Sequence, residues 1–360
     1  PADRRPNREL GVWGQTRKRW EEEAPAAIAP FTWDWFVGEA SVGMDHQEFI
    51  PVNYGFVPAY EYEVIEDNPE WVIARNAKGI VTKALKEGTT YGTRMSMDQY
   101  LEFPVRTPAD FPAVKARLEA AIPARYPPNL DEQIARWRGR DFPLTLGRNC
   151  AANGFYWRAR EFMGTENLSL AWYDYPKLMH EMMEFIADFT IENSKPILEQ
   201  TTVDYVFINE DMAMKQGPLL SPDTYREFIY PHMKRLVEYF KSNGVRYVIV
   251  DSDGNTEPLI SQLMDAGVDG LWPLERASAD TDPHFLRKKY GRGLRLWGAV
   301  DKRELVKDEA AIDAHLAEFT DLVEEGGFIP TVDHTVPPDV SLANFEYYMK
   351  RKRALLEGKF

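Results

Sequence analysis

Three side chains stand out by type and spacing: Asp251 and Asp253, two residues apart at the end of an apolar run, and His334, just after the last such run. If 247–253 is a strand, alternation puts both carboxylates on one side, above Ile249. Carboxylates forced together share a proton or bind a cation. His334 differs from the other five histidines. His180, His232 and His315 fall within expected helices, His284 begins one, and His46 sits in an acidic loop. An imidazole beside carboxylates suits a divalent ion or a proton relay. Adjacent Asp333 would face the opposite way and orient the imidazole. Other runs also end on acids, namely Glu210 with Asp211, Glu275, and Asp301. For any one of these, capping of the next helix is an equal explanation. Acids at five successive strand ends favour a single catalytic face.

The elements that must carry these residues are legible from about Pro143 onward. Short apolar runs at 143–147, 205–210, 247–253, 270–275, 294–301 and 328–333 alternate with amphipathic stretches at 175–200, 222–243, 257–266, 309–325 and 342–356. That texture fits parallel strands buried on both faces between helices. Gly244, Gly267 and Gly326 stand where helix C-caps are wanted. Repeated β-α units with right-handed crossovers predict an α/β fold, a (β/α)8 barrel, whose catalytic face lies at the strand C-termini. The chain is expected to be one domain over 1–360, with 1–100 an irregular N-terminal extension packed on the barrel. Within the less regular part, a hairpin is expected in 71–91 around Gly79 and Gly88, and a helix over 109–121. The segment 148–160, with Gly154, is expected to be a loop that grips substrate through Tyr156, Arg158 and Arg160. Trp272, on a strand, joins them as a substrate-binding candidate, although core packing explains most of the aromatic residues.

Composition narrows the partners. Forty-three Lys and Arg against 57 Asp and Glu leave a net charge of −14, which repels nucleic acid and anionic lipid. No apolar run approaches the roughly 20 residues of a membrane span, and 3–8 are charged with no apolar segment behind, so a cytoplasmic protein is expected. One cysteine, Cys150, excludes an internal disulfide and a thiolate-rich metal site. Nucleophile-elbow, phosphate-loop and dinucleotide-binding patterns are absent.

At these same residues the chain resembles the uroporphyrinogen decarboxylase superfamily, which includes zinc-dependent corrinoid methyltransferases. The matching stretches are FMGTEN at 162–167 with the Asp174-Tyr175-Pro176 step, QGPLLSPDTY at 216–225, VIVDSDGN at 248–255, LWGAVD at 296–301 and GGFIPTVDHTVPPDVSLAN at 326–344. The resemblance implies a (β/α)8 barrel. Decarboxylases of the superfamily carry an N-terminal R-Q-A-G-R-Y motif that grips substrate carboxylates; RKR at 17–19 does not match it. The methyltransferase branch looks like H-x-C after a middle strand with a later Cys, positions that fall here on Asp251, Asp253 and His334. By that resemblance these three would hold a divalent metal, expected to be zinc, through harder ligands than thiolates, suiting an oxygen leaving group, with Glu210 and Glu275 as supporting catalytic acids and Asp301 as structural. The implied activity is transfer of a methyl group from a methyl ether, such as a methoxylated aromatic, to cobalamin on a separate corrinoid protein. The alternative is a metal-free decarboxylase of a pyrrole or aromatic acid using Asp251 or Asp253 with His334. A third possibility is a non-catalytic tetrapyrrole or corrinoid binder.

Overall fold

The computed structural model describes residues 5–147, 152–277 and 279–360. Cys150, and Arg148 at the start of the expected substrate loop, lie outside the described residues. Seven parallel strands follow one another in chain order in one sheet: β1 (Glu48–Ile50), β2 (Leu144–Leu146), β3 (Tyr205–Asn209), β4 (Tyr247–Asp251), β5 (Gly270–Leu274), β6 (Arg295–Val300) and β7 (Phe328–Val332), and the two-residue strand Ala152–Asn153 pairs alongside β3 as an eighth. Strands β2 to β7 fall inside the six expected runs. On the helix side, Val206, Ile208, Val248 and Val250 are fully buried, as strands covered on both faces require.

The ring is completed by residues 7–13 lying between β7 and β1. The Asn7 carbonyl accepts from the Asp45 N–H (2.9 Å), just ahead of β1. Beyond β7, the Val336 N–H donates to the Gly11 carbonyl (2.9 Å) and the Trp13 N–H donates to the Val336 carbonyl (3.1 Å). Glu9 locks this segment in place. Its carboxylate accepts from the Val332 N–H (2.9 Å), the Tyr348 hydroxyl (2.6 Å) and the Lys352 ammonium (2.6 Å), all buried, the last two from the C-terminal helix α1 (Leu342–Leu356). A charge taken out of water in this way needs such a partner.

The first hundred residues are therefore not simply an irregular extension, since they supply β1 and the closing segment. Residues 63–102 form an antiparallel sheet in the order Glu63–Asp67, Trp71–Arg75, Val81–Leu85, Gln99–Glu102. The expected hairpin is its middle pair, turned at Gly79 (φ +78°), while Gly88 leads into a separate two-residue ladder, Thr89–Thr90 with Thr93–Arg94. The expected helix 109–121 is a 3-10 turn followed by Phe111–Ala116. The helix expected over 222–243 is broken by a π turn at Tyr225–Ile229 before continuing as Tyr230–Ser242. Pro231 has no N–H to return to the carbonyl four residues back, and the ladder widens there.

Inside the ring lies a second, smaller cluster. Tyr205, Phe207, Ile249 and Trp272 pack together with Leu10, Tyr247 and Trp297 against them. Phe207 stands 4.7 Å from Trp272 and 5.4 Å from Trp297, ring centre to ring centre. Alternate residues of β3 and β4 point inward, so the next inward positions toward the strand C-termini are Asn209 and Asp251.

Candidate functional site

The aromatic cluster is the floor of the barrel mouth, and its first polar layer is the pair Asn209 and Asp251. They are directly opposite in the β3–β4 register, and the Asn209 amide donates to the Asp251 carboxylate at 3.1 Å. Asp251 is buried, and the carbonyl oxygen of the Asn209 amide is buried without a hydrogen-bond partner. Trp272 lies opposite Asp251 on β5, packed into the floor against Phe207 and Trp297.

β4 ends at Asp251, so the expected alternation does not run on to Asp253. Ser252 turns the chain, accepting from the Met212 N–H (3.0 Å), and Asp253 reaches toward the strand end of β7. There its carboxylate stands 3.6 Å from the His334 imidazole, both partly exposed at the mouth. Burial pulls the His334 pKa down, but hydrogen bonding and charge from Asp253 outweigh it, so the net shift is upward; Lys302 opposes and Glu275 assists. Gly254 follows with φ +80°, and a Cβ there would meet the Ala213 carbonyl at 2.7 Å. Its N–H donates to Glu275 (2.8 Å), and Asn255 N–H to the Met214 carbonyl (2.9 Å). The loop is thus held between the Ala213–Pro218 hairpin and the end of β5.

The remaining acids divide by role. Glu210 is fully buried beneath helix α2 (Phe155–Met163), accepting from the Phe155 N–H (3.0 Å) and the Tyr156 N–H (2.7 Å). Burial drives its pKa up to about 7 against those N–H groups. Gly154 allows this approach, since a Cβ would lie 2.4 Å from the Glu210 carboxyl carbon. Asp301 caps the turn that follows β6 and pairs with Arg303 (2.5 Å), as its structural assignment expects. Asp333 does not orient His334. It is fully buried and accepts from the backbone N–H groups of Arg276 (3.0 Å), Ala277 (2.7 Å) and Lys302 (3.3 Å), tying three strand ends together.

Of the expected substrate loop, residues 155–160 lie on helix α2. On a helix, residues two apart point to nearly opposite sides and residues four apart to the same side. Arg158 consequently turns inward, buried, donating to the Tyr54 carbonyl (2.6 Å) and to Glu161 (3.1 Å). That corrects its assignment as a substrate grip. Tyr156 and Arg160 share the other face. Arg160 pairs with Asp211 (2.5 Å), and the Tyr156 hydroxyl is buried without a partner, its pKa pushed up to about 12 chiefly by burial. Asn209 and Lys302 belong to the mouth yet carry no distinctive sequence signal, being ordinary polar residues at strand ends.

Among the described residues, no three His, Cys, Asp or Glu side chains stand close enough to hold a metal ion. Asp251 is turned to Asn209, Asp253 to His334, and Glu275 to the Gly254 N–H. The expected set of Asp251, Asp253 and His334 is not assembled in this conformation.

Residues 159–355, more than half of the chain, match the uroporphyrinogen decarboxylase (URO-D) family. The chain belongs to this family. The match takes in Arg160, Glu210, Asp251, Asp253, Trp272, Glu275 and His334, and leaves Tyr156 and Arg158 ahead of it. Among curated relatives, the chain is 25% identical over 253 residues to uroporphyrinogen decarboxylase of Chlorobaculum tepidum, covering 64% of this chain and 68% of that protein. It is 28% identical over 217 residues to the same enzyme of Chlorobium limicola, covering 56% and 57%. A methyltransferase from Methanosarcina mazei shares the fold, with a TM-score of 0.60 over 98% of this chain and 94% of that one at 15% identity. Membership of the URO-D family carries with it a TIM-barrel fold and an enzymatic class.

Proposed function

We propose that this URO-D-family barrel is a methyltransferase that takes a methyl group from an ether oxygen, with a methoxylated aromatic as the substrate class. The observation that carries the proposal is the Asp253–His334 contact at the open mouth, 3.6 Å, above an aromatic floor and the buried Asp251. A leaving phenolate or alkoxide needs a proton, and a carboxylate-held imidazolium is a suitable donor. The methyl acceptor is a corrinoid on a partner protein, which supplies the nucleophile. His334 donates its proton to the leaving oxygen as the carbon–oxygen bond breaks, and Asp253 holds the imidazole in its charged form. Asp251, fixed by Asn209, and the free Asn209 carbonyl oxygen offer acceptors for a neighbouring substrate hydroxyl. The aromatic floor offers an apolar surface of tilted rings.

The relatives named above favour a second possibility, decarboxylation of a pyrrole or aromatic acid at the same site. Against it, the arginines at 17–19 do not serve as a carboxylate grip. Arg17 pairs with Glu21 (2.8 Å) and lies over Trp33 and Tyr91, and Arg19 pairs with Glu23 and donates to the Pro338 carbonyl (2.6 Å). One experiment separates the two. The protein is incubated with reduced corrinoid protein and aryl methyl ethers, and separately with porphyrinogen and aromatic acids, with and without chelator. Methylcobalamin formation with phenol release is expected. Release of CO2 without demethylation would overturn methyl transfer. Metal analysis of the same preparation tests zinc: an ion lost on Asp253→Ala would mean that Asp251, Asp253 and His334 turn together to bind it.

A further inference from the structure

The interior of the ring is not filled to the floor. A cavity of about 40 Å³ is walled in part by Phe207, Trp272 and Trp297, the rings that make the floor of the mouth. It reaches from Arg8 and Gln47 to Gly147, just past the C-terminal end of β2, and so runs up to the end of the barrel at which the mouth lies. Thr145 lines it, and Gly147, the next inward position on β2, adds no side chain above. Two polar atoms on this wall lack partners. The Thr145 hydroxyl and the Trp297 indole nitrogen are both buried with no hydrogen bond. Leaving buried donors unmade costs free energy, so two of them bordering one space point to an occupant.

Size and chemistry limit that occupant. A cavity of roughly 150 Å³ encloses benzene and one of about 10–15 Å³ a water molecule, so this chamber takes a group of a few heavy atoms and not a whole ring. An indole N–H only donates and a threonine hydroxyl can donate, so the group must carry an acceptor oxygen. At the lower end the Arg8 guanidinium donates to the backbone carbonyls of Trp35 (3.1 Å), Phe36 (2.8 Å) and Asp45 (2.5 Å), which satisfy its hydrogens without cancelling its charge. Glu9, the acid among the described lining residues, is held by Val332, Tyr348 and Lys352. We infer that the chamber receives a second oxygen substituent, hydroxyl or methoxyl, of an aromatic ring packed against the floor, with Trp297 and Thr145 donating to that oxygen. The inference rests on the methyl-ether reading of the mouth and narrows its substrate class to aromatic ethers that carry another ring oxygen.

The test is calorimetric titration of the full chain, without corrinoid, with methoxybenzene and with the isomeric methoxyphenols. The best methoxyphenol is expected to bind about tenfold tighter than methoxybenzene, the worth of one buried hydrogen bond. Thr145→Val and Trp297→Phe should each shrink that preference and together abolish it, whereas Thr145→Ser, which keeps the hydroxyl, should retain it. Should Trp297→Phe fail to fold, the two Thr145 variants decide. Because binding is read without turnover, a protein that discriminates these ligands yet forms no methylcobalamin would sink methyl transfer and leave the chamber's role standing. Equal affinity for the ligands, binding of none, or a preference that Thr145→Val leaves untouched would overturn the inference, and water alone would then fill the chamber.

Discussion

In the proposed reaction, proton transfer depends on Asp253 and His334, whose pairing draws them from the ends of β4 and β7. His334→Ala should lower turnover by roughly 10²–10⁴-fold, the usual worth of a positioned general acid, while the far-ultraviolet spectrum stays the same; an active variant would remove His334 from the chemistry. His334 was legible because no other histidine follows a strand. The shared side of Asp251 and Asp253 was not, because it assumed a strand two residues longer than the one that forms. Glu210, grouped with the catalytic acids by its position at a strand end, holds a helix terminus instead. Its pKa is raised to about 7 by burial, so the neutral form is the one the folded state favours. The stability it contributes is complete below the unfolded carboxyl range near 4.3 and is lost as pH rises through about 7. Urea midpoints measured at pH 6 and pH 8 should therefore fall less in Glu210→Gln than in wild type.

At the level of elements, the geometry of the mouth is set by tight turns. Gly254 lets the loop after β4 pass against the Ala213 carbonyl, where a methyl group would stand at 2.7 Å with φ at +80°. Gly254→Ala should cost about 2 kcal/mol by urea unfolding and reduce activity by displacing Asp253. A variant of wild-type stability and turnover would show that the loop adapts. The strands from β2 onward were readable because continuous Val, Ile and Leu runs between glycine-capped helices have few other solutions. Of the sheet of residues 63–102 only the middle hairpin was, since the outer strands are short and wholly exposed and leave no alternation. Helix α2 was mistaken for a loop because Gly154, which reads as a turn former, serves instead to admit Glu210 beneath the helix end. That error matters for function, because a helix sends Arg158 away from Tyr156 and Arg160.

For the whole molecule, the closing segment at 7–13 and the buried Glu9–Lys352 pair decide whether the ring is shut. Glu9→Ala strands the Lys352 ammonium in the core and should cost roughly 3–5 kcal/mol, whereas Glu9→Met combined with Lys352→Met should cost much less. Equal losses in the single and double variants would show that the pair is not coupled. The partners of Glu9, namely Val332, Tyr348 and Lys352, stand more than 320 residues further along the chain. During translation, residues 7–13 can meet residues 35–45 early but lack their partners on the β7 side until residues 332–352 have been made. A nascent chain halted before residue 328 lacks the β7-side neighbour of residues 7–13 and leaves that flank of the sheet open. Closing the ring therefore waits on residues 328–352, whose contacts with Glu9 span most of the sequence.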